Sequence, residues 1–232
     1  MALADLLRNV GAPPTWRDIY WPQFEECVLE FVQAGCERLI NDQRRSAAWQ
    51  EDHYTHALCE HLDEIAGARN LPFSPREQAI SLSPAELLAA VPLKRARKID
   101  LVVRFHNLPP RVCMAIEAKV VVSRSFRNYR PASTAENYVT QGVARFTTGR
   151  YAGDQLSGVM LGYLLSGTSA PIVKAINLAI AEAALPCKRR LSRPRKRKAR
   201  YPYFISVHPR SSKERITLHH ILVPIEPRNV ST

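Results

Sequence analysis

From Lys98 to Lys119 the chain reads K-I-D-L-V-V-R-F-H-N-L-P-P-R-V-C-M-A-I-E-A-K. Two runs rich in β-branched and apolar residues flank Asn107-Leu108-Pro109-Pro110, whose residue types suit a tight connection. Folding the stretch symmetrically about that turn sets Asp100 opposite Glu117 at the far end of the hairpin. Opposed residues share a sheet face, with Cβ atoms roughly 4.5–5.5 Å apart. Lys119, two residues beyond Glu117, falls on the same face. Ile99, Leu101, Val103, Phe105, Ile116 and Ala118 are expected on the other. One ladder thus gathers two carboxylates and an ammonium.

Two carboxylates this close repel, and keeping both ionised calls for a cation between them. A hard divalent ion such as Mg²⁺ meets the need, since it takes oxygen ligands, often one or two carboxylates, and keeps several waters. The backbone carbonyl of Ala118 would add a third oxygen. Lys119 would then stand where it can orient a water or stabilise charge developing on a phosphate. A solvated, charged strand end is the plainer reading of the same residues.

The pattern Ile99-Asp100, sixteen residues, then Glu117-Ala118-Lys119 resembles the PD-(D/E)XK nuclease superfamily. Ile stands where the literal motif has Pro. The resemblance implies a restriction-endonuclease-like α/β fold, a mixed central sheet flanked by helices. It implies phosphodiester hydrolysis with Mg²⁺ or Mn²⁺ held by Asp100 and Glu117, and Lys119 as base or stabiliser. It further implies nucleic acid as partner, DNA favoured, a role in defence against foreign DNA, and a homodimer or larger defence complex.

Composition sets the frame. The chain has 232 residues, 46% of them hydrophobic, enough for one sizeable core. No apolar run is long enough to span a bilayer, and Met1-Ala2-Leu3-Ala4-Asp5 lacks a basic, apolar leader. Cys27, Cys36, Cys59, Cys113 and Cys187 are scattered without a CxxC pair, so free thiols in a cytoplasmic protein are expected. Lys188–Arg200 holds nine bases and no acid, and without them the net charge falls from +12 to +3. A mobile arm lying along phosphates is expected there, with Arg193, Arg195, Lys196, Arg197 and Lys198 as contacts.

Along the rest of the chain, Phe24, Cys27, Val28, Phe31, Gly35 and Leu39 predict an amphipathic helix over about 22–44, an N-terminal helical extension (1–45) to a nuclease domain (46–232). A second helix is expected over about 46–66, buried through Tyr54, Leu58, Leu62 and Ile65. Glu51 extends that buried stripe and would point at the sheet. In the resembled family such a Glu reaches the metal directly or through water; a first-turn acid favoured by the helix dipole reads equally well. His53 and His56 belong to no HExxH string. Ala79–Leu82 predicts a short strand, and Ser83–Glu86 a capping box.

After Lys119 a basic loop carries Arg124, Arg127, Tyr129 and Arg130, residue types suited to phosphate contact and base stacking. A helix over about 133–148 places Tyr138, Gln141 and Arg145 on one face. In the resembled family a Gln on this helix completes the site, and Arg145 is read as a nucleic-acid contact. Strands are expected at 157–163, 203–208 and 216–225, with a helix at 170–185. One of His219 and His220 is expected to point out of the core. No P-loop, dinucleotide fingerprint or G-x-S-x-G elbow occurs. The expected protein is a metal-dependent nuclease, against a binding module that grips nucleic acid without cutting it.

Overall fold

The computed structural model describes residues 16–46, 48–81, 97–105, 113–152, 155–194, 200–210 and 215–225. The elements are helices α1 (Trp16–Asn41) and α2 (Glu51–Ala68), then strands β1 (Phe73–Ser81), β2 (Arg97–Phe105) and β3 (Cys113–Val122). Next come α3 (Pro131–Tyr138), a π-helical turn (Val139–Val143), α4 (Ala144–Thr147), β4 (Ser157–Ser166) and α5 (Ser169–Glu182). β5 (Arg189–Ser192), β6 (Tyr203–Pro209) and β7 (Arg215–Pro224) complete the order. The protein is thus α/β, with one seven-stranded mixed sheet ordered β1-β2-β3-β4-β7-β6-β5 and helices on both faces.

The hairpin has the register that its sequence predicts. Leu101 pairs with Ile116, Val102 with Ala115 and Val103 with Met114, and the ladder ends there, one residue short of Asp100 and Glu117. β3 then runs parallel to β4, and β4 parallel to β7. The α3–α4 segment makes the first crossover, as parallel neighbours require. The expected turn at Asn107–Pro110 and the capping box at Ser83–Glu86 lie outside the described residues.

Both faces of the sheet are covered, so its central strands are apolar throughout rather than alternating. On one face Leu101, Val103, Ile116, Ala118, Val120, Leu161 and Ile221 pack against Phe24, Val28, Phe31, Leu58 and Leu62 of α1 and α2. The two helices approach closely at Gly35, where a Cβ would stand 2.7 Å from Leu62. Trp21 of α1 also donates a buried hydrogen bond to Ser157 Oγ at 3.0 Å. On the other face Val102, Ala115, Val121, Met160 and Leu222 pack under Tyr138, Val139, Phe146, Ile172 and Ile176. Ile99, expected beside Leu101, joins this second layer, at a point where β2 keeps only β1 as partner.

Several expectations are corrected. α2 begins at Glu51, not Ser46. β1 begins at Phe73 rather than Ala79, because Pro75 is tolerated on an edge strand. The single helix at 133–148 is broken by the π turn. Lys188–Ser192 is no free arm: Lys188 donates from its backbone N–H to Val207 O, and Arg189–Ser192 is the edge strand β5. The buried Leu191 anchors it, and Asn177 hydrogen-bonds both its N–H and its C=O. All five cysteines are free.

His219 and His220 are both buried, because β7 lies inside a sheet covered on both faces. His219 faces the α1 layer, hydrogen-bonded to Tyr203 and 3.1 Å from Glu25. His220 faces α3 and belongs to a chain whose direction is fixed from one end. Pro186 O only accepts, so His208 Nδ1 donates to it at 2.9 Å. Neutral His208 then accepts at Nε2 from Ser206 at 2.9 Å. Ser206 Oγ accepts from His220 Nε2 at 2.8 Å, and His220 Nδ1 accepts from Tyr138 at 2.9 Å. Burial lowers the pKa of both His220 and His208, keeping them neutral.

Candidate functional site

The site forms where β2 parts from β3. Past Ile116, the last β3 residue paired with β2, the amides of Ala118 and Val120 take carboxylate oxygens in place of strand carbonyls. Asp100 Oδ2 accepts from Ala118 N at 2.9 Å, and Glu51 Oε2 accepts from Val120 N at 2.9 Å. The strand's hydrogen-bonding demand thus fixes two acids at its side. Glu51 arrives from the first residue of α2, whose buried stripe holds the helix against the sheet.

Lys119 closes the group. Its Nζ lies 2.9 Å from Glu51 Oε1, 3.3 Å from Asp100 Oδ2 and 3.0 Å from Glu117 Oε1, and donates to Ala118 O at 2.6 Å. Burial works against the Lys119 ammonium, but Glu117, Asp100 and Glu51 outweigh it and raise its pKa. Glu117 is 0% exposed, on the α3 face between Ala115 and Val121. Burial, reinforced by Asp100, pushes its carboxyl up to about 7 against the pull of Lys119 and Arg145.

Arg145 enters the site rather than standing free for phosphate. One guanidinium nitrogen lies 3.2 Å from Glu117 Oε1 and donates to Tyr151 Oη at 2.7 Å; the other donates to Gln141 Oε1 at 2.7 Å. Tyr151 in turn donates to Lys98 O at 2.7 Å. Gln141 is exposed on the π turn and reaches Glu117 only through Arg145. Gly142 lets that turn lie against the sheet, since a Cβ there would stand 2.3 Å from Met160 Cε.

Glu117 Oε2 is buried with no hydrogen-bond partner. An orphaned buried acceptor costs about 1–3 kcal/mol, more when charged. With all groups ionised, three carboxylates face two cations, leaving the cluster one positive charge short. The donors are hard oxygens, the class that Mg²⁺ and Mn²⁺ take. Asp100, Glu117 and the Ala118 carbonyl therefore fit such an ion, with Lys119 Nζ at the point where the acids converge. Among the described residues no group of three or more His, Cys, Asp or Glu side chains is arranged to hold a metal.

The basic loop is folded on itself. Phe126 and Tyr129 exchange backbone hydrogen bonds, and Arg127, at φ 52°, lays its guanidinium 5.2 Å from the Phe126 ring. Arg130 donates to the carbonyls of Arg127 and Tyr129. Arg124, Arg127 and Arg130 are exposed, while Tyr129 is half-buried against the α1–α2 layer. Arg193 is exposed, 5.8 Å from the Phe204 ring at the β5 edge, four strands from β3 and so about 19 Å away. Arg195, Lys196, Arg197 and Lys198 lie outside the described residues. His53 accepts from Gln50 N at 3.2 Å, and His56 pairs with Glu77 at 2.8 Å.

Tyr151 and the Arg145–Glu117 pair are the additions that sequence reading missed. Spacing alone could not supply them, because the π turn sets where Arg145 points. The chain matches no family model, no curated protein and no solved structure. No described helix is long and apolar enough to cross a membrane.

Proposed function

We propose that this chain is a metal-dependent nuclease with a restriction-endonuclease-like fold, acting on nucleic acid and on DNA by preference. One observation carries the reading. Acids from α2, β2 and β3 converge on Lys119, and the most buried of them keeps an oxygen without a partner. Asp100, Glu117 and the Ala118 carbonyl would hold Mg²⁺ or Mn²⁺, which supplies positive charge to polarise a phosphoryl oxygen.

The chain's own groups do the rest. Arg145 holds Glu117 Oε1, leaving Oε2 free. Glu51 orients the Lys119 ammonium and ties down Val120, so the strand end carrying the site is fixed from the helix side. Lys119 then presents a preorganised positive charge to a phosphate whose charge grows in the transition state, in a half-buried setting where that interaction is strengthened.

The competing reading is a non-catalytic nucleic-acid-binding module. It draws on the same geometry, since Lys119 already pairs with all three acids in an internal salt-bridge cluster. Incubating pure protein with plasmid, linear duplex, single-stranded DNA and RNA in Mg²⁺, Mn²⁺ or EDTA separates the two. Cleavage of at least one substrate with metal and none in EDTA is expected. Binding without cleavage under every condition would support the module.

A further inference from the structure

A cavity of about 370 Å³ opens beside the start of α2, within the span of small-molecule pockets, roughly 300–1,000 Å³. Its platform is a pair of near-parallel rings. Trp49, half-buried, and His53, exposed, stack with centroids 6.3 Å apart and planes at 23°. Tyr54 backs Trp49 edge-on at 5.4 Å. Trp49 precedes Glu51 by two residues, so their Cα atoms stand within about 7 Å. The Arg127 loop is close enough to act electrostatically on Tyr54.

The cavity wall decides what the platform accepts. Asp52, Glu60 and Glu77 line it with acceptor oxygens. His56 bonds Glu77 at 2.8 Å, and that bond raises its pKa; Arg44 bonds Glu60 at 2.7 Å. Even with His56 protonated, the wall carries one more negative than positive charge. A phosphate is disfavoured there. A flat, uncharged ring bearing amino donors is favoured.

We propose that the Trp49–His53 cavity is a subsite for one unpaired, amino-bearing nucleobase of the strand whose backbone lies at Lys119. The proposal rests on the nucleic-acid reading above and sharpens it to single-stranded or locally unpaired substrate. The base stacks on the His53–Trp49 step, while its exocyclic amine donates to a wall carboxylate. Adenine, cytosine and guanine offer that amine; thymine does not. A stacked duplex, whose bases are covered, does not reach the platform.

The test is run in EDTA with the full chain. Oligonucleotides of about twelve residues, oligo(dA), oligo(dC), oligo(dT) and a blunt duplex, are titrated with tryptophan emission and fluorescence anisotropy as readouts. Oligo(dA) and oligo(dC) are expected to quench emission, with oligo(dT) and duplex quenching far less. Trp49→Phe, which keeps an aromatic ring in the cluster, should abolish the quench. His53→Ala, an exposed change checked for folding by circular dichroism, should weaken oligo(dA) binding about tenfold. Oligo(dA) binding with unaltered emission, and equal affinity in His53→Ala, would overturn the subsite while leaving cleavage at Lys119 standing. Quenching without cleavage in any metal would keep the subsite and overturn the nuclease. Absence of binding by every oligonucleotide would overturn the subsite, with the nuclease reading decided separately by the metal-dependent cleavage panel.

Discussion

Two sets of polar side chains, one buried and one centred on the buried Glu117 with half-buried partners, lie in the α3 layer of this molecule, and they are finished in opposite ways. Across α3, β7 and β6 the run Tyr138, His220, Ser206, His208, Pro186 O is neutral, and every donor in it meets an acceptor. Around Glu117 the set Glu117, Lys119 and Arg145 is ionisable, one positive charge short when Glu117, Glu51 and Asp100 are all ionised, and leaves Glu117 Oε2 without a partner. A fold needs only the first kind, since complete neutral networks bury polar atoms without leaving any unsatisfied. The second kind stores an unmet demand for positive charge at the rim of the sheet. On the proposed function, that difference separates a working region at β3 from support at β7.

The largest effect expected on the contrast is catalytic. Asp100→Ala and Lys119→Ala should each lower single-turnover cleavage about a thousandfold or more while leaving the circular dichroism spectrum intact. Either variant cutting at the parental rate while folded would erase the distinction between the two regions.

His220→Leu should do the reverse. It removes the acceptor of Tyr138 Oη, leaving that hydroxyl only a 3.4 Å contact with Met160 O, and the donor to Ser206 Oγ, which keeps His208 alone. Stability in urea titrations is expected to fall by about 1–3 kcal/mol, with cleavage per folded molecule unchanged. The two regions should also titrate oppositely. His220 and His208 have lowered folded pKa values, so their contribution is full above the ordinary value near 6.5 and is lost as pH falls below it. Glu117 is raised from 4.5 to about 7, so its contribution is full below 4.5 and is lost as pH climbs through 7. That loss is on the order of 3 kcal/mol. Urea stability followed from pH 5 to pH 8 should therefore lose this downward component in Glu117→Gln and keep the histidine component.

How much of this was legible in the sequence follows the range of the forces involved. The β2–β3 register was, because a short connection and period-two patterning are local. Glu51 was, because a helical stripe fixes direction over two turns. The Arg145–Glu117 pair was not: the π turn resets the helical register, so Tyr138 stays in the core while Gln141 and Arg145 meet beside Glu117, and periodicity assumes one unbroken helix. The burial of both His219 and His220 was not, because alternation describes one strand while the layers covering β7 come from α1 and α3, far away in sequence. β5 was hidden by its arginines, since one Leu191 held by Asn177 outweighs a charged composition.

A smaller effect is expected at Glu51. Glu51→Gln keeps an oxygen for Val120 N but loses the charge that holds Lys119, so cleavage should slow about tenfold and require more metal. An unchanged metal titration would make Glu51 a helix-terminal acid only.

The most direct measurement is the single-turnover cleavage rate of Glu117→Gln beside the parent, at saturating nucleic acid and matched Mg²⁺ or Mn²⁺. The substitution keeps the side chain's shape and removes the charge and the orphaned carboxylate oxygen from the centre of the site. A fall of about a thousandfold in a folded variant is the predicted result. A folded Glu117→Gln that cuts as fast as the parent would contradict the assignment of this cluster to catalysis.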